Sequence, residues 1–215
     1  MKPATGNFVD HRNQAPAALV LALSDWWSQP SPARITLWSS SHYMQRIKAI
    51  CAPSGQQPEA PLGANVDKLL STIHFERDGL IAEYERLFVG PAAPPCPPYE
   101  AVWRTDRPKH EQGTVVGQCT EEVKQLYRDM GMRLRPGEVE LADHIAIELE
   151  ALTYAWNSGV NVRVVEEILD RLQVWLPRFC ASVVANSRSE FYRGLADLTL
   201  EFLLGERTVP VRAEA

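Results

Sequence analysis

Ile145-Ala-Ile-Glu-Leu-Glu-Ala-Leu-Thr-Tyr-Ala-Trp156 sets the fold class. Its large apolar residues Ile145, Leu149, Leu152 and Trp156 recur in steps of four, three and four, the spacing that gathers side chains on one face of an α-helix. The same periodicity appears on both sides of this stretch. Leu80, Tyr84, Leu87 and Phe88 form one stripe, Val165, Ile168, Leu169 and Leu172 a second, and Phe191, Leu195, Leu198 and Phe202 a third. Each stripe marks a helix with one buried face.

Weaker signals extend the pattern toward the N-terminus. Ala17 to Gln29 reads as a first helix. Ala33 to Ile50 reads as a second, with Ser31 as its N-cap and Pro32 at the first helical position. No run of alternating β-branched residues bounded by turn residues occurs, so the expected class is all-α, a helical bundle. Two segments interrupt it. Gly90 to Gly117 holds six prolines, each removing a backbone donor and disfavouring helix at the residue before it. Gly131 to Glu138 contains a Pro-Gly turn signal and is read as a hinge. The expected organisation is an N-terminal helical part over residues 1–130, including the loop at 90–117, the hinge at 131–138, and a C-terminal helical part over 139–215. Such a hinge would allow domain exchange and hence a homodimer.

Composition narrows the function. Of 215 residues, 45% are apolar, enough for a packed core, and 27 acids against 22 bases give a formal charge of −5. That balance gives no reason to seek nucleic acid or anionic membranes, and a basic partner is the better match. The apolar run from Ala15 to Leu23 superficially resembles a signal peptide. Asp10 before it, Asp25 and two tryptophans after it, and the lack of a small-x-small cleavage site argue against that reading. No apolar run reaches membrane-spanning length. Cys51, Cys96, Cys119 and Cys180 form no C-x-x-C pair and have no histidines at zinc-site spacing, so they read as free thiols in a reducing cytoplasm.

Catalytic signatures are missing. Glu140, His144 and Glu148 lie at i, i+4 and i+8 of one helix and invite a metal reading. No E-x-x-H occurs, however, which the two-metal carboxylate helices require. There is no G-x-S-x-G elbow, Walker loop or G-x-G-x-x-G turn. The expectation is no enzyme, no cofactor and no metal. The competing readings are a small metal-dependent or acid-base hydrolase using Asp143, His144 and Glu148, and a helical regulatory protein without a ligand. Charge pattern is more informative. No Lys or Arg occurs between Arg135 and Arg163, while Glu138, Glu140, Asp143, Glu148 and Glu150 cluster there. One account is a solvated helix start whose acids suit the helix dipole. The other is a site for a basic peptide, since carboxylates are the usual partners of guanidinium groups.

Two stretches reveal a family. Tyr84-Glu-Arg-Leu87-Phe88-Val-Gly90-Pro91 is followed by Pro97-Pro98-Tyr99-Glu100, and then by Glu140-Leu-Ala-Asp143-His144-Ile-Ala-Ile-Glu148-Leu149-Glu150. In order and spacing these resemble the Y-x-x-L-F-x-G-P, proline-aromatic and E-x-x-D-H-x-x-x-E-L elements of the TorD/DmsD chaperones for twin-arginine-exported molybdoenzymes. The resemblance covers residues 20 to 205. It implies a cytoplasmic chaperone that binds the twin-arginine leader and the catalytic subunit of a molybdenum-dependent reductase or dehydrogenase until its cofactor is inserted. Asp143, His144, Glu140 and Glu148 are the polar candidates for that peptide; Tyr99, Leu87, Phe88 and Trp103 are the apolar ones. Asp143 and His144 are expected to edge a groove under which Ile145 and Leu149 pack.

Overall fold

The computed structural model describes residues 14–51, 61–108, 117–134 and 142–205, and the described part is helical throughout its core. In chain order the helices are α1 (Gln14–Trp27), α2 (Pro32–Trp38), α3 (Ser41–Cys51), α4 (Pro61–Glu76), α5 (Leu80–Tyr84), α6 (Glu100–Trp103), α7 (Gln118–Asp129), α8 (Ile145–Ser158), α9 (Val162–Asn186) and α10 (Glu190–Gly205). Among the described residues no strand forms. The β-type pairing found there is one isolated antiparallel bridge between Tyr99 and His144.

The stripes behave as periodicity dictates. Ile145, Leu149 and Leu152 are buried along α8, which packs lengthwise on α1. Ser24 of α1 donates to the carbonyl of Ala146 at 2.8 Å, and Trp27 donates its indole N–H to Thr199 of α10 at 3.0 Å. Helix α10 lies against both α4 and α9. One continuous cluster of buried apolar side chains draws members from α1 to α5 and from α7 to α10, so helices before and after residues 131–138 share a core. At its centre Phe88 is ringed by Trp27, Tyr84, Phe179 and Tyr192, with ring centroids 5.0–6.2 Å apart, the range in which aromatic pairs attract beyond simple burial.

Sequence and structure part company at several places. The single helix expected over Ala33 to Ile50 is two helices, broken at Ser39-Ser40. Ser39 turns its hydroxyl back to the Ile35 carbonyl at 2.7 Å, and Ser40 accepts from the Tyr43 amide at 3.3 Å, so the serines cap two helices where one was expected. Ser31 does cap α2, accepting from the Arg34 amide at 3.2 Å. Helix α4 rests on Val66, Leu69, Leu70 and Ile73, and α7 on Val123, Leu126 and Tyr127, stripes that sequence reading did not pick out. Helix α7 closes where Gly131, at φ 78°, lets Met132 donate back to the Tyr127 carbonyl at 2.8 Å, which satisfies the helix end.

Helix α5 changes pitch. Glu85–Val89 continues it as a π-helical turn, which adds a residue to the turn and lets the neighbours Leu87 and Phe88 both face inward. The turn stops at Gly90, whose φ of 58° and ψ of 158° suit a residue without a side chain. Beyond it the proline-rich segment is tied back at once, the Cys96 amide donating to the Leu87 carbonyl at 3.0 Å. That tie delivers Pro97, Pro98 and Tyr99 to the start of α8.

Candidate functional site

Extended backbone at Pro98–Tyr99 pairs with the segment leading into α8. The Glu100 amide donates to the Asp143 carbonyl and the Ile145 amide to the Pro98 carbonyl, both at 2.9 Å. This clip places the side chains. Asp143 accepts from the Ala101 amide and from the Thr120 hydroxyl, each at 3.2 Å, so its carboxylate caps the short α6 and anchors α7. His144 caps α8: its Nδ1 accepts from the Ala146 amide at 3.1 Å, which leaves the ring proton on Nε2. The Tyr99 ring meets the His144 imidazole edge-on at 5.3 Å.

Glu100 is the centre of charge. Its side chain is fully buried and bridges two helices, one oxygen accepting from Arg104 at 2.6 Å and the other from Arg171 of α9 at 2.8 Å. Arg171 also reaches Glu122 at 3.4 Å, and Glu122 in turn pairs with Arg107. One turn into α8, Glu148 is buried. One of its oxygens accepts from the Trp175 indole at 3.4 Å, and the other has no hydrogen-bond partner among the described residues. Carboxyl groups from α6, α7 and α8 thus converge on Arg171.

Burial sets the protonation pattern. For Glu148 desolvation, reinforced by the charges of Glu100 and Asp143, pushes the carboxyl well above the usual range, in the direction of the protonated acid. Asp143 is also raised by burial, while the Ala101 and Thr120 donors hold it back. Desolvation drags His144 down to about 3, which makes it a neutral imidazole. Arg171 stays charged: burial works against it, but Glu100 and Glu148 hold its pKa above the ordinary value. Cys51, Cys96, Cys119 and Cys180 carry free thiols, and burial raises each one, Cys119 to about 12.

The structure corrects the expected groove geometry. Asp143 and His144 do not edge an open groove; both are buried, because Asp143 precedes the helix and caps α6, and His144 turns inward as the cap of α8. Leu87 and Phe88 belong to the core, whereas Tyr99 and Trp103 are half-buried at its margin, Trp103 donating to the Pro97 carbonyl at 2.6 Å. Glu140 and Glu138 lie outside the described residues. Within the strip that lacks bases in sequence, Glu148 comes under the charge of Arg171, which reaches in from α9. Sequence reading missed Glu100, Arg104, Thr120 and Arg171 as site residues. Arg171 carried a signal, being the one charge between Ile168, Leu172 and Trp175 on the inward face of α9. Among the described residues no group of three His, Cys, Asp or Glu side chains could hold a metal ion. No helix there is long and apolar enough to cross a membrane.

What this arrangement does chemically is hold two guanidinium groups against one buried carboxylate, on a segment that also carries half-buried aromatic rings. Comparison with known proteins gives the family. The family model described as nitrate reductase delta subunit matches residues 56–181, more than half of the chain, and the chain belongs to that family. It is 29% identical over 126 residues to the chaperone protein TorD of Shewanella piezotolerans, an alignment covering 58% of this chain and 59% of that one. It is 28% identical over 137 residues to the Tat proofreading chaperone DmsD of Salmonella typhi, covering 62% and 65%. The chain thus spans somewhat under two thirds of these relatives' length. The fold is that of a redox enzyme maturation protein from Archaeoglobus fulgidus, with a TM-score of 0.57 at 22% identity over 95% of this chain and 98% of that one.

Proposed function

We propose that the protein is a cytoplasmic chaperone that binds the twin-arginine leader, the apo catalytic subunit, or both, of an exported or membrane-associated molybdoenzyme while its cofactor is inserted. Its relatives are named as chaperones, one of them as a Tat proofreading chaperone. The observation that carries the reading is Glu100: a fully buried carboxylate that already holds two guanidinium groups, in one charge cluster with Asp143 and Glu148 and on the short segment that also carries Tyr99 and Trp103. A leader brings two adjacent arginines and an apolar stretch, and charge-assisted bonds to guanidinium are strong where water is excluded. In this reading Asp143 and His144 act by position, holding α6 and α8 so that Glu100 and Glu148 face one another, while Tyr99 and Trp103 take the apolar part. Leu87 and Phe88 support them from the core, Phe88 through Phe179, on which Trp103 packs.

Calorimetric titration with two synthetic leaders tests the proposal. A peptide with adjacent arginines and an apolar segment is expected to bind at least about tenfold more tightly than its twin-lysine counterpart, because an ammonium cannot make the two-pronged contact. Equal affinities for the two peptides, or no binding of either, would overturn it.

A further inference from the structure

The guanidinium groups that occupy Glu100 and Glu122 are supplied largely by one short segment of the chain itself. Arg104-Thr-Asp-Arg107 follows α6 and presents two arginines three residues apart. Arg104 lies on Glu100 and Asp106, and Arg107 lies on Glu122. Arg171, by contrast, is fixed in the middle of a 25-residue helix. Beside Arg104 opens a cleft of about 320 Å³ along α9. Its deepest-set side chains are Arg104 and Arg171, while Arg163, Glu166, Glu167 and Asp170 line its outer part. The outer acids Glu166, Glu167 and Asp170 stand beside Arg163, and behind them lie Arg104 and Arg171, the two groups that hold Glu100. A second observation lies further in. Glu148, 3% exposed, has an oxygen without a partner among the described residues, in the same charge cluster as Glu100, Asp143 and Arg171. Buried polar atoms are satisfied in the great majority of cases, so this one marks a place where a further hydrogen-bonding group fits.

We infer that Arg104 and Arg107 are an internal stand-in for a leader's arginine pair, occupying Glu100 and Glu122 until a leader displaces them through the α9 cleft. The inference rests on the leader-binding reading above. Exchanging one guanidinium for another conserves the number of ion pairs at Glu100, so the swap avoids leaving a buried carboxylate bare, which is the costly event. The free protein is thereby kept neutral at its centre, and the leader's apparent affinity is lowered by the fraction of molecules in which the internal pair is seated.

The double variant Arg104→Gln/Arg107→Gln tests this by calorimetry with the twin-arginine peptide. It is expected to bind about 5- to 50-fold more tightly than the unaltered protein. Because the variant could fail to fold, hydrogen exchange on the unaltered protein is the second measurement: peptide addition is expected to speed exchange over residues 103–108 as that segment is released. Unchanged or weaker affinity in a folded double variant, or protection of residues 103–108 on binding, would overturn the inference while leaving leader binding intact. Absence of binding to either protein would instead remove the leader-binding reading, and this inference with it.

Discussion

Glu100 and Glu148 are buried glutamates of one charge cluster, and their surroundings assign them opposite roles. Glu100 accepts from two arginines, so replacing it with Gln takes away the charge that both were placed to meet. Such a loss typically costs about 3 kcal/mol or more. Burial favours the protonated form of Glu148, and Gln reproduces the shape and donor of that neutral acid. Urea denaturation at neutral pH is expected to show Glu100→Gln destabilised by about 3 kcal/mol and Glu148→Gln within about 1 kcal/mol of the unaltered protein. Equal losses would mean that Glu148 is ionised too. His144 adds a pH dependence. Its folded pKa, about 3, lies below the ordinary imidazole value of about 6.5, so the unfolded chain takes up the proton first. The stability it contributes is complete above that ordinary value and is lost as pH falls toward 3, by at most about 1.4 kcal/mol per pH unit. Asp143 and Glu148, raised by burial, act in the opposite sense: folding is favoured where they are protonated and loses that advantage as pH rises. His144→Asn keeps an acceptor for the Ala146 amide and removes the titration. Thermal midpoints between pH 7.5 and pH 5 should fall less in this variant than in the unaltered protein; an identical fall would place the acid sensitivity elsewhere.

Among the elements, the π-helical turn and its glycine stop determine where the proline-rich segment goes. A Cβ on Gly90 would sit 3.0 Å from the Ala92 carbonyl oxygen, in a backbone conformation that L residues avoid. Gly90→Ala is expected to cost about 2 kcal/mol, a fall of roughly 4–8 °C in Tm for a chain of this size. Gly159, at φ 63° but with nothing within 4 Å of where a Cβ would stand, gives the matched control, and Gly159→Ala should cost only about 1 kcal/mol. Equal shifts in differential scanning calorimetry would show that the close approach at Ala92 carries no energy. These elements also show what sequence makes legible. Helices α8, α9 and α10 followed from apolar spacing, because their stripes are uninterrupted. The break at Ser39-Ser40 did not, since it depends on hydroxyls choosing the backbone over water. The π turn escaped because adjacent Leu87 and Phe88 look like the edge of an ordinary stripe. Tyr99, Asp143 and His144 stood out as a motif, but their burial followed from a clip between residues 98–100 and 143–145, and Glu100 meets Arg171 across 71 positions, a pairing that no local pattern encodes.

Across the molecule as a whole, the ion pairs of Glu100 join α6 to α9 while Asp143 joins the start of α8 to α6 and α7, so one buried polar centre ties together four helices. A centre of this kind favours a single arrangement of its helices, and a ligand that competes for its carboxylates can register as a change across the molecule. If this centre serves an unfinished molybdoenzyme, the tagged protein should hold one when captured from its host under growth conditions that induce such enzymes. Mass spectrometry and metal analysis of the retained material give the readout. The expected result is a catalytic subunit that keeps its uncleaved twin-arginine leader and lacks molybdenum, with retention lost in a folded Glu100→Gln variant. Retention of only mature, molybdenum-loaded subunit, or of no such subunit, would contradict the chaperone reading.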